Sequence, residues 1–411
     1  MGNLQYHLEK EEGDVLIMKE AREFKKKFAK IADSEKCRTL PNISVVTHSS
    51  IPKAGIVPLS NLVNILSPFA SEIHIITGDI VDTLLYEYGN IHIYKIRAKY
   101  KREASIFIRI VSYIHTQLRI SYKLAKIARN VDLCFFLIGG EILLPILVAK
   151  LFKKKIILCL IVGPPKNTGK DILFKPTVFL REVNYALADM IIVYTENFIT
   201  GFNLEKYLYK ISIAHEHFLD FDKFKIKKKL NERDNLVGYI GRLSEEKGIL
   251  NFVKAIPEIL KEQNEVKFLV GGDGQLRDEI GNYLDRNNLN DKVKLTGWIP
   301  HNKLPDYLNE LKLLVLPSYT EGLPNIMLEA MTCGTPVLAT PVGAIPDVIK
   351  DGETGFIMEN NSPECIAKNV VRALGYLDLE RIVKNARELV EKEFTYKVAV
   401  ERYRKILKEL Q

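Results

Sequence analysis

Glu321-Gly322-Leu323-Pro324-Asn325-Ile326-Met327-Leu328-Glu329-Ala330 carries two carboxylates eight positions apart across a Gly/Pro turn. The apolar run Leu313-Leu314-Val315-Leu316-Pro317 precedes the turn and reads as a buried strand. Behind it, Met327–Met331 reads as a helix with small residues on one face. The order is therefore strand, loop carrying Glu321, helix carrying Glu329. In a parallel α/β sheet such a loop lies at the carboxyl end of a strand, where these sheets bind ligands. The free N–H groups of the helix start favour an anionic group in the same space. A carboxylate can accept two hydrogen bonds from a vicinal diol, because both of its oxygens are acceptors. Two acids beside an anion-binding helix end suit a ligand with sugar hydroxyls and a phosphate.

The stretch resembles the Glu-x7-Glu signature of retaining GT-B glycosyltransferases, those of glycosyltransferase family 4. The continuation Ala330-Met331-Thr332-Cys333-Gly334-Thr335-Pro336-Val337-Leu338 fits that family too, as do Gly343 and the turn Asp351-Gly352-Glu353-Thr354-Gly355-Phe356. The resemblance implies an α/β GT-B fold, two doubly wound Rossmann-like domains facing across a cleft. It covers roughly residues 42–411 and is close from Leu236 to Phe356.

At 411 residues the chain is too long for one ordinary core, and two domains are expected. Its apolar (47%) and charged (27%) fractions are those of a globular protein. Five cysteines, an odd number with no Cys-x-x-Cys, argue against a disulfide framework or a zinc site, and a reducing compartment is expected. The first residues are polar rather than the apolar core of a signal peptide. The apolar stretch Leu133–Ala149 is broken by Gly139, Gly140, Glu141 and Pro145, and is short for a bilayer span of about 20 residues. Between Lys95 and Arg129 lie ten basic residues and one acid, Glu103, against a net charge of +8 for the whole chain. These charges interleave with Phe107, Ile110, Ile114, Leu118 and Leu124 at helical spacing. Two readings stay open, a helix with a solvated basic face and a surface resting on anionic lipid. No nucleic-acid-binding signature accompanies the charge, and no nucleic acid partner is expected. The expected location is cytoplasmic, peripheral on the inner face of the membrane if the lipid reading holds.

Five regions are expected. Residues 1–41 form a helical extension, residues 42–218 an N-terminal Rossmann-like acceptor domain, and residues 219–235 a linker containing Lys227-Lys228-Lys229. Residues 236–378 form a C-terminal Rossmann-like domain for the nucleotide-sugar donor, and residues 379–411 form closing helices. The family resemblance implies that the last helix returns to the first domain. Strands are expected at Asn42–Thr47, Glu72–Thr77, Ile91–Ile96, Leu133–Ile138, Lys155–Val162 and Met190–Tyr194, with His48–Ser60 as a loop. In the second half they are expected at Leu236–Ile240, Lys267–Val270 and Lys292–Thr296.

Gly241-Arg242-Leu243-Ser244-Glu245-Glu246-Lys247-Gly248 follows the first strand of the second half. Arg binds phosphate oxygens bidentately and Lys supplies a mobile point charge, so the pair could neutralise a diphosphate. The motif is similar to the family's Gly-Arg…Lys-Gly segment, whose cations bind the donor diphosphate. The turn Gly271-Gly272-Asp273-Gly274, with Gly272 and Gly274, is similar to one the family places near the nucleotide. Trp298, the only tryptophan, lies where the family meets the nucleobase, and reads as packing or as stacking on the base. In the first half the loop Ser49–Gly55 has a single glycine, Gly55, where the family often has two, and Gly163-Pro164-Pro165 stands where many members carry a His. His48 and Glu141 are further polar groups at strand ends.

The resemblance implies a transferase that moves a sugar from a nucleoside diphosphate to a glycan, polysaccharide or lipid-linked acceptor with retention, a hexosyltransferase of cell-envelope glycan synthesis. In that reading Glu321, Arg242 and Lys247 are catalytic. Glu329 holds the ribose, and the backbone of Gly322, Leu323, Pro324 and Asn325 with Gly241, Gly272, Gly274, Trp298 and Gly55 completes the donor site. No cofactor and no metal is expected, and the one Asp-x-Asp, Asp220-Phe221-Asp222, falls in the expected linker. The alternative is a catalytically inactive subunit that binds nucleotide-sugar, motivated by the missing His and the shortened glycine loop.

Overall fold

A computed structural model describes residues 40–47, 56–78, 90–96, 105–137, 142–163 and 174–410. The chain divides into two compact units, residues 1–217 with 399–411, and residues 218–398. The expected extension at residues 1–41 lies outside the described residues, apart from its last two.

In the first unit the order is β1 (Ile43–Val46), α1 (Ile56–Leu66), β2 (Ile73–Thr77), β3 (Ile91–Lys95), α2 (Ile106–Ile127), β4 (Leu133–Leu137) and α3 (Leu143–Leu151). It continues through β5 (Lys155–Leu160), α4 (Phe174–Leu187), β6 (Met190–Val193), α5 (Asn197–Gly201) and β7 (Ile211–Ile213). All seven strands are parallel in the order β3-β2-β1-β4-β5-β6-β7. The middle strands are apolar throughout because helices cover both faces of a parallel sheet. Phe135 and Phe136 of β4 and Ile156–Leu158 of β5 are fully buried. Close to the carboxyl ends of β6 and β7, the Tyr194 hydroxyl donates to the buried Glu216, whose carboxyl burial raises to about 7. Tyr403 packs near Phe135, and Arg402 donates to the His215 carbonyl at 3.1 Å, so the end of the chain is part of this core.

The second unit runs β8 (Leu236–Ile240), α6 (Ile249–Glu262), β9 (Lys267–Gly271), α7 (Arg277–Arg286), β10 (Val293–Gly297), α8 (Leu304–Glu310), β11 (Leu313–Leu316) and α9 (Asn325–Thr332). Then come β12 (Val337–Ala339), α10 (Ile345–Val348), β13 (Phe356–Ile357), α11 (Pro363–Leu374) and α12 (Leu379–Glu393), before the final helix α13 (Tyr396–Glu409). Its six parallel strands lie in the order β10-β9-β8-β11-β12-β13, the doubly wound arrangement that reverses direction between β8 and β11. Phe252, Val253 and Ile256 of α6 pack with Val237, Phe268, Val315 and Val370 into one core.

Most of the expected strands form, with differences at their ends. Ile56–Ser60, expected in a loop, is the first turn of α1, where Pro58 lacks an N–H that the first turn does not use. The strand expected to reach Val162 stops at Leu160. Ile211–Ile213, Val337–Ala339 and Phe356–Ile357 are too short to stand out as apolar runs.

Residues 219–235 lie within the second unit and are tied to it along their length. The Asn309 side chain accepts from Lys227 N at 2.7 Å and donates to Lys225 O at 3.0 Å. Arg233 is 4% exposed and donates to the carbonyls of Lys228, Leu308, Leu311 and Cys333 and to the Thr335 hydroxyl. One planar guanidinium thus joins the entry segment, the α8–β11 turn and the α9–β12 turn. Arg233→Ala removes the side-chain donor from the carbonyls of Lys228, Leu311 and Cys333, whereas Leu308 O keeps the Thr335 hydroxyl, at roughly 1–3 kcal/mol for each group left unpaired. We expect a loss of about 3 kcal/mol or more in urea unfolding of the full chain, with Arg233→Lys recovering only part, since an ammonium cannot span the same fork of acceptors.

Candidate functional site

The motifs quoted from the second half meet at the carboxyl ends of β8, β9, β10, β11 and β12. Their loops are joined through the backbone. Gly241 N donates to Gly271 O at 3.0 Å, Gly272 N to Gly297 O at 2.7 Å and Leu243 N to Asp273 O at 3.0 Å. On the other side of the reversal, Tyr319 N donates to Glu246 O at 2.9 Å and Ala344 N to Gly322 O at 2.8 Å. Two glycines permit the closest approaches. Gly272 has φ +125°, and a Cβ there would stand 1.8 Å from Gly241 O. Gly343 has φ +61°, and its Cβ would stand 2.4 Å from Glu321 O and 2.5 Å from Gly322 O. Gly274 closes its turn by donating its N–H to Asp273 Oδ1 at 2.9 Å.

Glu321 sits in the loop after β11 with its side chain 9% exposed. Its Oε1 accepts from Lys247 Nζ at 2.6 Å and from Ser318 Oγ at 2.7 Å. Arg242 does not join this pair; its guanidinium lies 3.3 Å from Glu246 Oε1, and both side chains are exposed. Glu329 is buried on α9, whose last six residues are all buried. A buried carboxylate needs a partner, and Glu329 Oε1 finds His301 Nε2 at 2.8 Å. His301 Nδ1 in turn lies 2.9 Å from Lys223 Nζ, with Phe224 against the ring. A lysine ammonium only donates, so this network assigns the imidazole proton to Nε2, directed at Glu329. Beside it, burial and then the nearby Glu329 push the Cys333 thiol up to about 12, which leaves it inert at neutral pH.

Among the described residues, the second oxygen of Glu321 and that of Glu329 have no protein hydrogen-bond partner. The N–H groups of Leu323, Asn325 and Ile326 donate to no backbone carbonyl. Pro324 precedes α9 in extended conformation, with no side-chain cap on the helix. The arrangement therefore presents two carboxylate acceptors, an uncapped helix start and two cations along one edge of the sheet. Such a surface can hold hydroxyl groups and an anion together.

Trp298 is 59% exposed, which removes the packing reading of this side chain. Gly241, Gly272, Gly274, Gly322, Leu323, Pro324 and Asn325 all lie in the joined loops. Asp220 Oδ1 accepts from the N–H groups of Asp222 and Lys223, so the Asp-x-Asp closes its own turn. Gly55, His48 and Glu141 lie outside the described residues, and Gly163 is half-buried at the end of the β5 segment. His301, Lys223 and Ser318 were not anticipated. His301 directly follows Thr296–Pro300, but a lone His carries no spacing signal.

Residues 220–389 match the family described as Glycosyl transferases group 1. An alpha-D-kanosaminyltransferase of Streptomyces kanamyceticus is 30% identical over 204 residues, 48% of this chain and 53% of that protein. A capsular polysaccharide biosynthesis glycosyltransferase of Staphylococcus aureus is 32% identical over 192 residues, 44% of this chain and 50% of that protein. The chain thus spans about half the length of these curated relatives. Among solved structures, Anabaena HepE in complex with UDP superposes with a TM-score of 0.74 at 16% identity, covering 90% of this chain and all of that one. Sucrose-phosphate synthase of Thermosynechococcus elongatus gives 0.68 at 17% identity, covering 90% of this chain and 99% of that one. These likenesses place the fold in the GT-B class, built of two Rossmann-like α/β units.

The close approach at Gly343 supplies a test of the joined loops. Gly343→Ala should cost about 1–3 kcal/mol in strain and loosen the Glu321 turn. The opposite outcome is expected at Gly281 in α7, where a Cβ would meet nothing within 4 Å. There Ala should be neutral or stabilise by about 0.5–1 kcal/mol. Chemical denaturation of the two variants compares them directly.

Proposed function

We propose that the chain is a glycosyltransferase that moves a sugar from a nucleoside diphosphate donor to an acceptor with retention of configuration. The single observation that carries this reading is the joined set of loops in which Lys247 holds Glu321 beside the uncapped start of α9, with Glu329 oriented by His301. In this reading Glu329 takes the ribose hydroxyls with its second oxygen. Glu321 and the N–H groups from Leu323 to Ile326 take the donor sugar. Arg242 leaves its exposed contact with Glu246 for the diphosphate, and Lys247 adds a further N–H from its ammonium. Both cations then stabilise charge growing on the leaving group, a term that often dominates catalysis. Anabaena HepE, solved with UDP and with UDP-glucose, gives the fold-level precedent for such a donor.

Helix α2 supports an acceptor presented at an anionic lipid surface. Its 22 residues leave Phe107 (75% exposed), Ile108, Val111, Ile114, Leu118 and Tyr122 facing outward, among Arg119, Lys123 and Lys126. Among the described residues no helix is long and apolar enough to cross a membrane, so the reading is of a helix lying in the interface. The double variant Phe107→Asp, Ile114→Asp should cut sedimentation with anionic vesicles at least about tenfold, because each apolar side chain withdrawn from water contributes roughly 1.5–3 kcal/mol. Diphosphate binding should be unchanged.

Calorimetric titration of the full chain with UDP, GDP and ADP tests the donor site. Saturable binding of one diphosphate is expected, weakened about tenfold or more in Arg242→Ala, since a hydrogen bond to a charged group is worth about 1.5–3 kcal/mol. Turnover in that variant should fall by orders of magnitude while the fold survives. No binding of any of the three would sink the donor reading. Binding without donor hydrolysis or transfer would return the chain to the role of an inactive subunit.

A further inference from the structure

The outer edge of the first sheet holds a cluster that the donor chemistry does not use. β3 is the edge strand, and His92 on it stands in register with His74 on β2. Residues paired across two strands share a face, as do residues two apart along one strand. Glu72, His74, His92 and Tyr94 are therefore brought together. The two imidazole rings lie 4.9 Å apart and 17° from parallel. Glu72 Oε2 is 3.3 Å from His74 Nε2 and 3.8 Å from His92 Nε2, and the three atoms lie within 4.8 Å of one another.

His74 is the informative member. It is only 4% exposed, yet its Nε2 makes no hydrogen bond of acceptable geometry. Its other nitrogen, Nδ1, lies 3.3 Å from the Tyr94 hydroxyl. With Nδ1–H donated to the phenol oxygen, Nε2 keeps its lone pair and directs it at Glu72 and His92. An orphaned buried nitrogen aimed at a carboxylate and a second imidazole is costly unless something joins them. We propose that Glu72, His74 and His92 bind one divalent transition-metal ion of the zinc class and so clip β3 to β2.

Two imidazoles and a carboxylate are a recurrent zinc set that leaves a fourth position for water. The partner on the far nitrogen, here Tyr94, fixes the tautomer as outer partners of metal-bound histidines do. Ligand atoms around tetrahedral zinc stand roughly 3.3 Å apart, given metal–ligand distances near 2.0–2.1 Å. Rotation of the half-exposed Glu72 and His92 side chains suffices to draw the three together, and the same exposure gives the ion its entry path. The ligands belong to the first unit, whereas the diphosphate motifs lie in the second.

The test uses the full chain, stripped with chelator and titrated with Co²⁺ as the visible probe, then with Zn²⁺. Wild type should take up one equivalent of Co²⁺ with the intense visible bands of tetrahedral coordination, lose them to Zn²⁺, and melt several degrees higher with Zn²⁺ bound. His92→Ala, at a half-exposed position that leaves folding intact by circular dichroism, should weaken the metal at least tenfold and abolish the melting shift. Tyr94→Phe keeps all three ligands and should weaken it about tenfold. Equal uptake and equal bands in His92→Ala would place the metal elsewhere and overturn the proposal. So would a wild type that shows neither tetrahedral bands nor a Zn²⁺-dependent melting shift.

Discussion

Because β8 and β11 run parallel at the centre of the second sheet, with Leu313 opposite Val237, the chain that leaves each must turn toward a different face. The loops that leave the two strands flank the space between their exits. The central strands β8, β11 and β12 are largely apolar and buried, so polar side chains gather in the loops at their carboxyl ends. Those loops are short, and each is bonded to its neighbour: Gly241 to Gly271, Gly272 to Gly297, Tyr319 to Glu246 and Ala344 to Gly322. An error in any one exit would move all of them, which makes a set of loops behave as a rigid surface.

Charge on that surface is held half-satisfied. Glu321 spends one oxygen on Lys247 and Ser318, and Glu329 spends one on His301. A carboxylate with both oxygens committed would have to break a bond to take a hydroxyl group; these need not. Lys247 is similarly placed, because an ammonium has three N–H donors and Glu321 uses one of them. Arg242 differs. Its contact with Glu246 is long and exposed, worth well under 1 kcal/mol, so the guanidinium is only loosely held.

The order strand, Glu321 loop, Glu329 helix was legible because continuous apolar runs such as Leu313–Leu316 announce buried parallel strands and because the two acids bracket a Gly/Pro turn. Lys247 was legible as a cation in the Gly-Arg…Lys-Gly stretch, but its contact with Glu321 was not, since 74 residues separate the two. His301 and Lys223 lie 78 residues apart and have no shared pattern. Arg233 was hidden for a different reason. Its acceptors are mainly backbone carbonyls, which leave no trace in side-chain identity, and a charged segment with three consecutive lysines resembles a solvated linker. The Glu72, His74 and His92 cluster was likewise invisible, because only the pairing of β2 with β3 joins its histidines, which lie 18 residues apart in the sequence.

The segment read as a linker acts on the site through α9. This helix begins uncapped beside Glu321 and ends at Thr332, where the last carbonyls of a helix carry its partial negative charge. Arg387 on α12 donates to Thr332 O, and Arg233 donates to Cys333 O at 2.7 Å. Two guanidiniums thus satisfy the far end while the near end is left open. At the same time Lys223, from the same segment as Arg233, sets the orientation of the imidazole that holds Glu329. The segment therefore fixes both the axis of the helix and the carboxylate it carries. The start of α9 is thus left open beside Glu321 while its last carbonyls are taken by guanidiniums from within the second unit.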